Sequence, residues 1–319
     1  MDRPESTAEE PSVLDGWVKP RKAASIRFAP HISGVDAFRR IMRAGIDHLK
    51  VNESAARAGA DPEGVHQIRV ATRRLRSALK LFEDYVGAEA AQSFKHHLRD
   101  LGRVLGEARD WDVFVTETIP DFVRDHPGID PAAIARAAQT FRRPAHEYVA
   151  AALNAPSYAA WRNRFEEWSA KNDWRAGLGI HAYRRLDGKF REIAGGMMDR
   201  AARRAAKRGA SIDALAPEGL HELRKTMKSL RYGAEFVGSL YPHAERKQYI
   251  EAVAAVQEAM GAFNDATVTL TLIERLAARS GEDGAATREA LRNWASAKAA
   301  THGLHAAWDA FRETRIFWS

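Results

Sequence analysis

The chain contains no cysteine and no long apolar run, and these two absences exclude several classes of protein. Without cysteine there is neither a disulfide framework nor a thiolate metal site, which fits a reducing compartment. No apolar stretch reaches the length of a transmembrane helix, and the amino-terminal MDRPESTAEE is polar and acidic rather than signal-like. We therefore expect a cytoplasmic protein that does not contact a membrane.

Motifs of common phosphate- and metal-dependent enzymes are also missing. There is no Walker loop, no nucleotide-binding Gly-rich loop, no GxSxG elbow and no HExxH. The close histidine pairs, His96 with His97 and His302 with His305, have no convincing third metal ligand. Phosphoryl transfer normally needs carboxylates that hold a divalent metal beside the cations. We therefore expect no metal, no cofactor and no enzymatic activity.

Alternating β-type stretches are essentially absent, whereas apolar residues recur at spacings of three and four. Hydrophobic residues make up 45% of the 319, which is enough for a packed core. The sequence predicts an all-α fold, with glycine stops at Gly106 and Gly261 among others. The predicted helices, with boundaries uncertain by a few residues, span about 33–58, 62–86, 89–105, 111–125, 131–153, 157–171, 176–208, 217–239, 243–261, 264–279 and 284–313.

One stretch of sequence occurs twice, which indicates an internal duplication. PEGVHQIRVATRRLRSALKLF begins at Pro62, and PEGLHELRKTMKSLRYGAEFV begins at Pro217, an offset of 155 residues. The same offset relates LGEARDWDV to the later MGAFNDATV. We predict two pseudo-symmetric helical bundles, about 31–172 and 173–315, packed around a basic central groove, with 1–30 as a flexible tail.

Each copy carries a stripe of cations along one helical face. At about 100° per residue the first stripe falls within an arc of roughly 80° and extends for roughly 20 Å. It contains no carboxylate, although a solvated face would normally mix charges of both signs. A binding surface for an extended polyanion is therefore the favoured interpretation, with a solvated face as the alternative. The two stripes are His66, Arg69, Arg73, Arg76 and Lys80, and His221, Arg224, Lys228 and Arg231.

Further cations precede each stripe on the preceding helix. They would flank the same groove if that helix packs beside the helix that carries the histidine. These flanking cations are Arg39, Arg40, Arg43, Arg184, Arg185 and Lys189. Lys95, His96, Arg99 and Arg103 on the next helix are weaker candidates.

Two pairs of repeat-equivalent residues allow more than one interpretation. Gly64 and Gly219 are costly inside a helix, and a close approach by backbone or ligand would explain them. Asp110 and Asp265 look like helix N-caps, and the alternative is that each orients an arginine of the stripe.

The string HQIRVATRRLRSALKLF followed by LGEARDWDV resembles the CHAD family, the conserved histidine α-helical domain. The resemblance covers about 30–315 and implies helical bundles around a basic cavity that binds inorganic polyphosphate, with localisation to polyphosphate granules. By position, the resemblance implies that the stripe residues of both copies contact the polyphosphate. Asn264 in place of Arg109, and Glu235 in place of Lys80, are departures between the copies. The E-x-E-x-K signature of a CYTH domain, which often precedes this family, is not found.

These observations predict a non-catalytic polyphosphate-binding protein. Two alternatives remain at this point: a helical nucleic-acid binder, which the lack of aromatic residues among the cations disfavours, and a polyphosphate-processing enzyme that uses the paired histidines.

Overall fold

The computed structural model describes residues 19–280, 284–299 and 303–319, and within these ranges its regular elements are helical. The prediction of an all-α fold is confirmed. An isolated bridge joins Ser33 and Lys189, and a π-helical turn, Phe114–Thr118, links the third and fourth helices. The α-helices are α1 Gly34–Ala58, α2 Pro62–Leu81, α3 Ala88–Val113, α4 Ile119–Asp125, α5 Ala132–Asn154, α6 Pro156–Ala170, α7 Ile180–Asp187, α8 Phe190–Arg208, α9 Pro217–Val237, α10 His243–Ser280, α11 Ala285–Lys298 and α12 Leu304–Glu313.

Several predicted helix boundaries are wrong. Gly106 and Gly261 do not end helices, because α3 and α10 continue through them. At Gly106 the missing side chain makes room for a neighbour, since a Cβ there would lie 2.6 Å from Arg69 Nη1. The predicted helix over 176–208 is divided into α7 and α8, and the break is stabilised by a backbone hydrogen bond from Gly34 N to Gly188 O.

Part of the segment predicted as a flexible tail is packed against the bundle. Phe28 is buried and meets Phe190 edge-on, with ring centroids 5.6 Å apart. The Phe28 backbone N–H donates to Ser239 Oγ at 2.9 Å, and the Arg21 N–H donates to Asn52 Oδ1 at 2.8 Å. Residues 19–30 are therefore held in place, while residues 1–18 of the predicted tail lie outside the described residues.

The two copies of the repeat meet where α2 packs against α9. Arg73 Nε donates to the Tyr232 hydroxyl at 2.9 Å, and Ser77 Oγ lies 3.4 Å from Ser229 Oγ. Because the residue numbers rise along α2 as they fall along α9, the helices cross in opposite directions. Arg74, half-buried beside this crossing, donates to Glu235 at 2.7 Å. The pseudo-symmetry of the two halves and their division near residue 172 stay predictions.

Large aromatic side chains form much of the core that supports this crossing. Phe82, at the end of α2, packs against both Phe38 of α1 and Phe190 of α8. Trp111 and Trp174 are fully buried, as their helical spacing with other apolar residues indicates. Within the described ranges no helix is long and apolar enough to span a membrane.

Candidate functional site

Two adjoining clefts lie over the crossing of α2 and α9. One, of about 470 Å³, is lined by α2, α3 and α9, and the other, of about 720 Å³, is lined by α2, α8 and α9. We call the pair the trough, because the clefts share five lining residues and so form one continuous depression. The shared residues are Arg76, Ser77, Lys80, Lys225 and Ser229.

The trough is strongly cationic. Eleven arginines and lysines line it, against two carboxylates, Glu83 and Glu222. An ordinary solvated surface would mix positive and negative side chains more evenly. The eleven are Arg73, Arg76, Lys80, Lys95, Arg99, Arg200, Arg204, Lys207, Arg208, Lys225 and Lys228.

Among the cations of the trough, Lys228 is the most strongly perturbed. Burial, followed by the positive charges of Arg224, Arg73 and Arg69, lowers the pKa of Lys228 to about 7. These neighbours come from both copies of the repeat. The charges of the two stripes therefore converge, and an anion placed among them would relieve the repulsion.

The same causes act along the rest of the trough. Burial lowers the pKa of Arg76, Lys80 and Lys95, and a nearby cation adds to each shift: Arg99 for Arg76, Arg204 for Lys80, and Lys80 for Lys95. The charged form of each of these groups is therefore less stable here than in water. A polyanion would stabilise their charged forms.

Carboxylates balance part of this charge on the α8 side. Glu83 pairs with Arg204 and Lys80, and Glu222 pairs with Lys225 and, at 3.5 Å, with Arg208. Such partly exposed pairs are weak and exchangeable. Among the described residues that line the trough, Arg76 and Lys228 form no ion pair with a carboxylate.

The structure brings together part of the predicted stripes. Arg73, Arg76, Lys80 and Lys228 line the trough. Arg69 lies beside them, close to Gly106 of α3, and burial lowers its pKa whereas the charge of Asp110 acts to raise it.

The remaining stripe residues lie around the trough rather than along it. His221 and Arg224 line a neighbouring cavity of about 330 Å³ between α3, α9 and α10. His66 is close to Arg109, and burial followed by that positive charge lowers the pKa of His66. Arg231 turns towards Glu235, 3.2 Å from its Nε. The two histidines therefore do not contribute lining side chains to the trough.

The six flanking cations do not line the trough. On α1, Arg39 donates to Asn172 and Arg43 lies 3.9 Å from Asp47, while Arg40 is exposed. α1 does pack beside α2, as predicted, but through its apolar face. In the second half α8, and not α7, packs against α9. As a result Arg184, Arg185 and Lys189 are exposed elsewhere.

The flank of the trough in the second half comes instead from α8, which the stripe analysis missed. Arg200, Arg204, Lys207 and Arg208 recur at spacings of four, three and one in DRAARRAAKR. This run contains no carboxylate after Asp199, so the signal that identified the first stripe was present here too.

The prediction that Asp110 and Asp265 are N-caps is wrong, because both lie inside helices, α3 and α10. Their negative charges instead favour the charged forms of Arg69 and Arg224, respectively, against the effect of burial on those pKa values. The alternative role, a carboxylate beside a stripe arginine, is the one the structure supports.

Comparisons with known proteins agree with this architecture. A family model described as CHAD domain matches residues 40–274. The chain is similar to the crystal structure of the CHAD domain from the plant Ricinus communis, with 28% identity and a TM-score of 0.77, over 93% of this chain and 98% of that one. It also shares its fold with PptA from Streptomyces chartreusis, with 16% identity and a TM-score of 0.64, over 88% and 98%. No curated protein matches the sequence significantly.

Proposed function

The chain belongs to the CHAD domain family, and we propose that it binds inorganic polyphosphate in the trough, without cleaving it. The observation that carries the proposal is the convergence of eleven cations on one depression, with Lys228 held at a pKa of about 7 among guanidinium groups. A linear chain of phosphates is the polyanion that such an elongated depression suits.

The chemistry of the lining fits phosphate chains. Guanidinium groups donate paired hydrogen bonds to phosphate oxygens, and lysines supply compact charges. Ser77 and Ser229, at the floor of the trough, add hydroxyl donors between the cations. Binding would release counterions from the polymer, so affinity should fall as salt rises.

Binding without catalysis is part of the proposal. The two carboxylates that line the trough, Glu83 and Glu222, are each engaged by cations. Among the described residues there is no group of three histidines, aspartates or glutamates placed to hold a metal ion. We further propose that polymer binding recruits the protein to polyphosphate granules in the cytoplasm.

Charge reversal tests the trough. The triple variant Arg76→Glu, Arg99→Glu and Lys225→Glu alters three exposed side chains of the lining and keeps the core intact. We expect the affinity for long-chain polyphosphate, measured by isothermal titration calorimetry, to fall at least about a hundredfold, since each lost charged hydrogen bond costs about 1.5–3 kcal/mol. Circular dichroism checks that helicity is unchanged.

The chain offers a matched control of equal charge. Arg40→Glu, Arg43→Glu and Arg184→Glu change the net charge by the same amount at exposed positions outside the trough. This variant should bind polyphosphate within a few-fold of the wild type. Equal losses in both triple variants would show that total charge, and not the trough, governs binding.

Competition separates polyphosphate from nucleic acid. Single-stranded DNA or RNA at equal phosphate concentration should not displace polyphosphate, because no phenylalanine, tyrosine or tryptophan on which bases would stack lines the trough. Full displacement by either nucleic acid would replace this function with general polyanion binding.

A further inference from the structure

A second cluster of cations lies at a cavity between the end of α1 and the middle of α5. The cavity has a volume of about 400 Å³ and shares no lining residue with the trough. We call it the α1–α5 cavity. Its lining residues are Arg57, Ala58, Gly59, Gln139, Arg142, Arg143, His146, Glu147 and Ala150.

A buried carboxylate fixes two of these side chains. Asp112 of α3 is fully buried, and its Oδ1 accepts hydrogen bonds from Arg142 Nε and from His146 Nε2, each at 2.8 Å. Because Arg142 bonds Asp112 through Nε, its two terminal nitrogens are left to serve the cavity. Asp112 thus holds Arg142 and His146 in one orientation, which is how recognition sites are preorganised.

The free edge of His146 has no partner in the protein. Its Nδ1 is buried and makes no hydrogen bond. The atom lies next to Gly59, where a Cβ would approach it to 3.0 Å. Nδ1 therefore faces Gly59 and not the cavity, and the polar contact that orients the His146 ring is the one with Asp112.

A second fixed arginine completes the cluster. Arg57 Nη2 donates to Glu53 at 2.9 Å and to the Leu153 carbonyl at 3.2 Å, and Glu53 is itself buried and bonded to Arg162. The carboxylate on the cavity wall, Glu147, is exposed and lies 3.3 Å from Arg143. The inner wall is therefore cationic, because the carboxylates that pair with Arg57 and Arg142, Glu53 and Asp112, do not line the cavity themselves.

We propose that the α1–α5 cavity is a separate site for a small oxyanion of the size of inorganic phosphate. Arg142 and Arg57 supply guanidinium N–H donors. The ring of His146 lies in the wall of the cavity and is held by Asp112, so it reports on an anion bound by the two arginines. This proposal does not depend on polyphosphate binding in the trough.

The test uses the full chain and inorganic phosphate, followed by the ¹⁵N resonances of the histidine rings. We expect a saturable shift of the His146 Nδ1 signal with phosphate, and none with sodium chloride at equal ionic strength. Arg142→Lys should weaken phosphate binding roughly tenfold or more, because one charged hydrogen bond is lost. Arg136→Lys, an exposed arginine of the same helix outside the cavity, should not.

A control variant separates the two sites. The trough variant Arg76→Glu, Arg99→Glu and Lys225→Glu should keep the phosphate-dependent His146 shift, and Arg142→Lys should keep polyphosphate binding. The proposal is overturned if phosphate produces no saturable shift of His146 in the wild type. It is equally overturned if the trough variant abolishes the shift, since the anion would then occupy the trough.

Discussion

At the scale of single residues, the proposed binding of polyphosphate would be linked to proton uptake by Lys228. Its pKa of about 7 is far below the ordinary 10.5, and bound phosphates would raise it. Below about pH 7 the free protein already carries the proton, so Lys228 adds no pH dependence there. Above it, binding takes up a proton, and affinity should fall by up to about tenfold per pH unit. Titrations from pH 6 to 9 measure this slope.

Lys228→Met provides the comparison. The variant should bind more weakly at pH 6 and show a flatter profile above pH 7, because the group that takes up the proton is gone. If Lys228→Met keeps the wild-type slope, the proton uptake belongs to another residue.

The same shift predicts how stability depends on pH. Between about pH 7 and 10.5 the unfolded chain holds a proton on Lys228 that the folded chain lacks, so the free energy of unfolding should rise with pH through this window. Urea titrations at pH 7 and 9 measure the rise, which Lys228→Met should reduce. An identical rise in both proteins would contradict the low pKa.

At the scale of elements, two equivalent glycines should differ in what they tolerate. A Cβ on Gly64 would lie 2.7 Å from the backbone carbon of Ala55 in α1, whereas a Cβ on Gly219 would meet the Leu215 side chain at 3.1 Å. Backbone cannot yield easily, so Gly64→Ala should destabilise by about 1–3 kcal/mol. Gly219→Ala should cost much less, since a side chain can shift and alanine favours the helix. Thermal unfolding compares them, and equal losses would contradict the close approach of α1 to α2.

The elements also show what could be predicted from the sequence. Helical periodicity and the Asp61-Pro62 signal predicted the start of α2 correctly, with Asp61 Oδ1 accepting from Glu63 N at 2.8 Å, whereas the helix ends at Leu81 and not at 86. The continuation of α3 through Gly106 could not be predicted, because it depends on a tertiary neighbour, Arg69. The flank of the trough was placed at Arg184, Arg185 and Lys189 because 176–208 was predicted as one helix, and spacing within a helix does not specify which part packs against α9.

At the scale of the whole molecule, the repeat could be recognised in the sequence because its offset is constant. In the structure the two repeated helices, α2 and α9, pack against each other. Arg73, Arg76 and Lys80 of the first stripe meet Lys228 of the second at this crossing, although the two stripes are distant in the chain. The sequence identified Arg73, Arg76, Lys80 and Lys228. It did not identify His66 and His221 as lying outside the trough, because the position of a side chain relative to another helix requires the fold.

Salt dependence measures how many of these cations act together. By analogy with nucleic-acid backbones, the logarithm of affinity should fall with the logarithm of salt concentration by about 0.7–0.9 per phosphate neutralised. The triple variant of the trough should therefore lose about two units of slope, while the matched control keeps the wild-type slope. Identical slopes in all three proteins would mean that the trough cations do not contact the polymer.

The central claim is that polyphosphate lies across the crossing of α2 and α9, and a crystal structure of the protein with a polyphosphate of defined length tests it most directly. The account predicts a continuous chain of phosphate density within hydrogen-bonding distance of Arg76, Arg73 and Lys228. Phosphate density on the α1–α7 face, beside Arg43 and Arg184, with the trough occupied only by solvent, would contradict it.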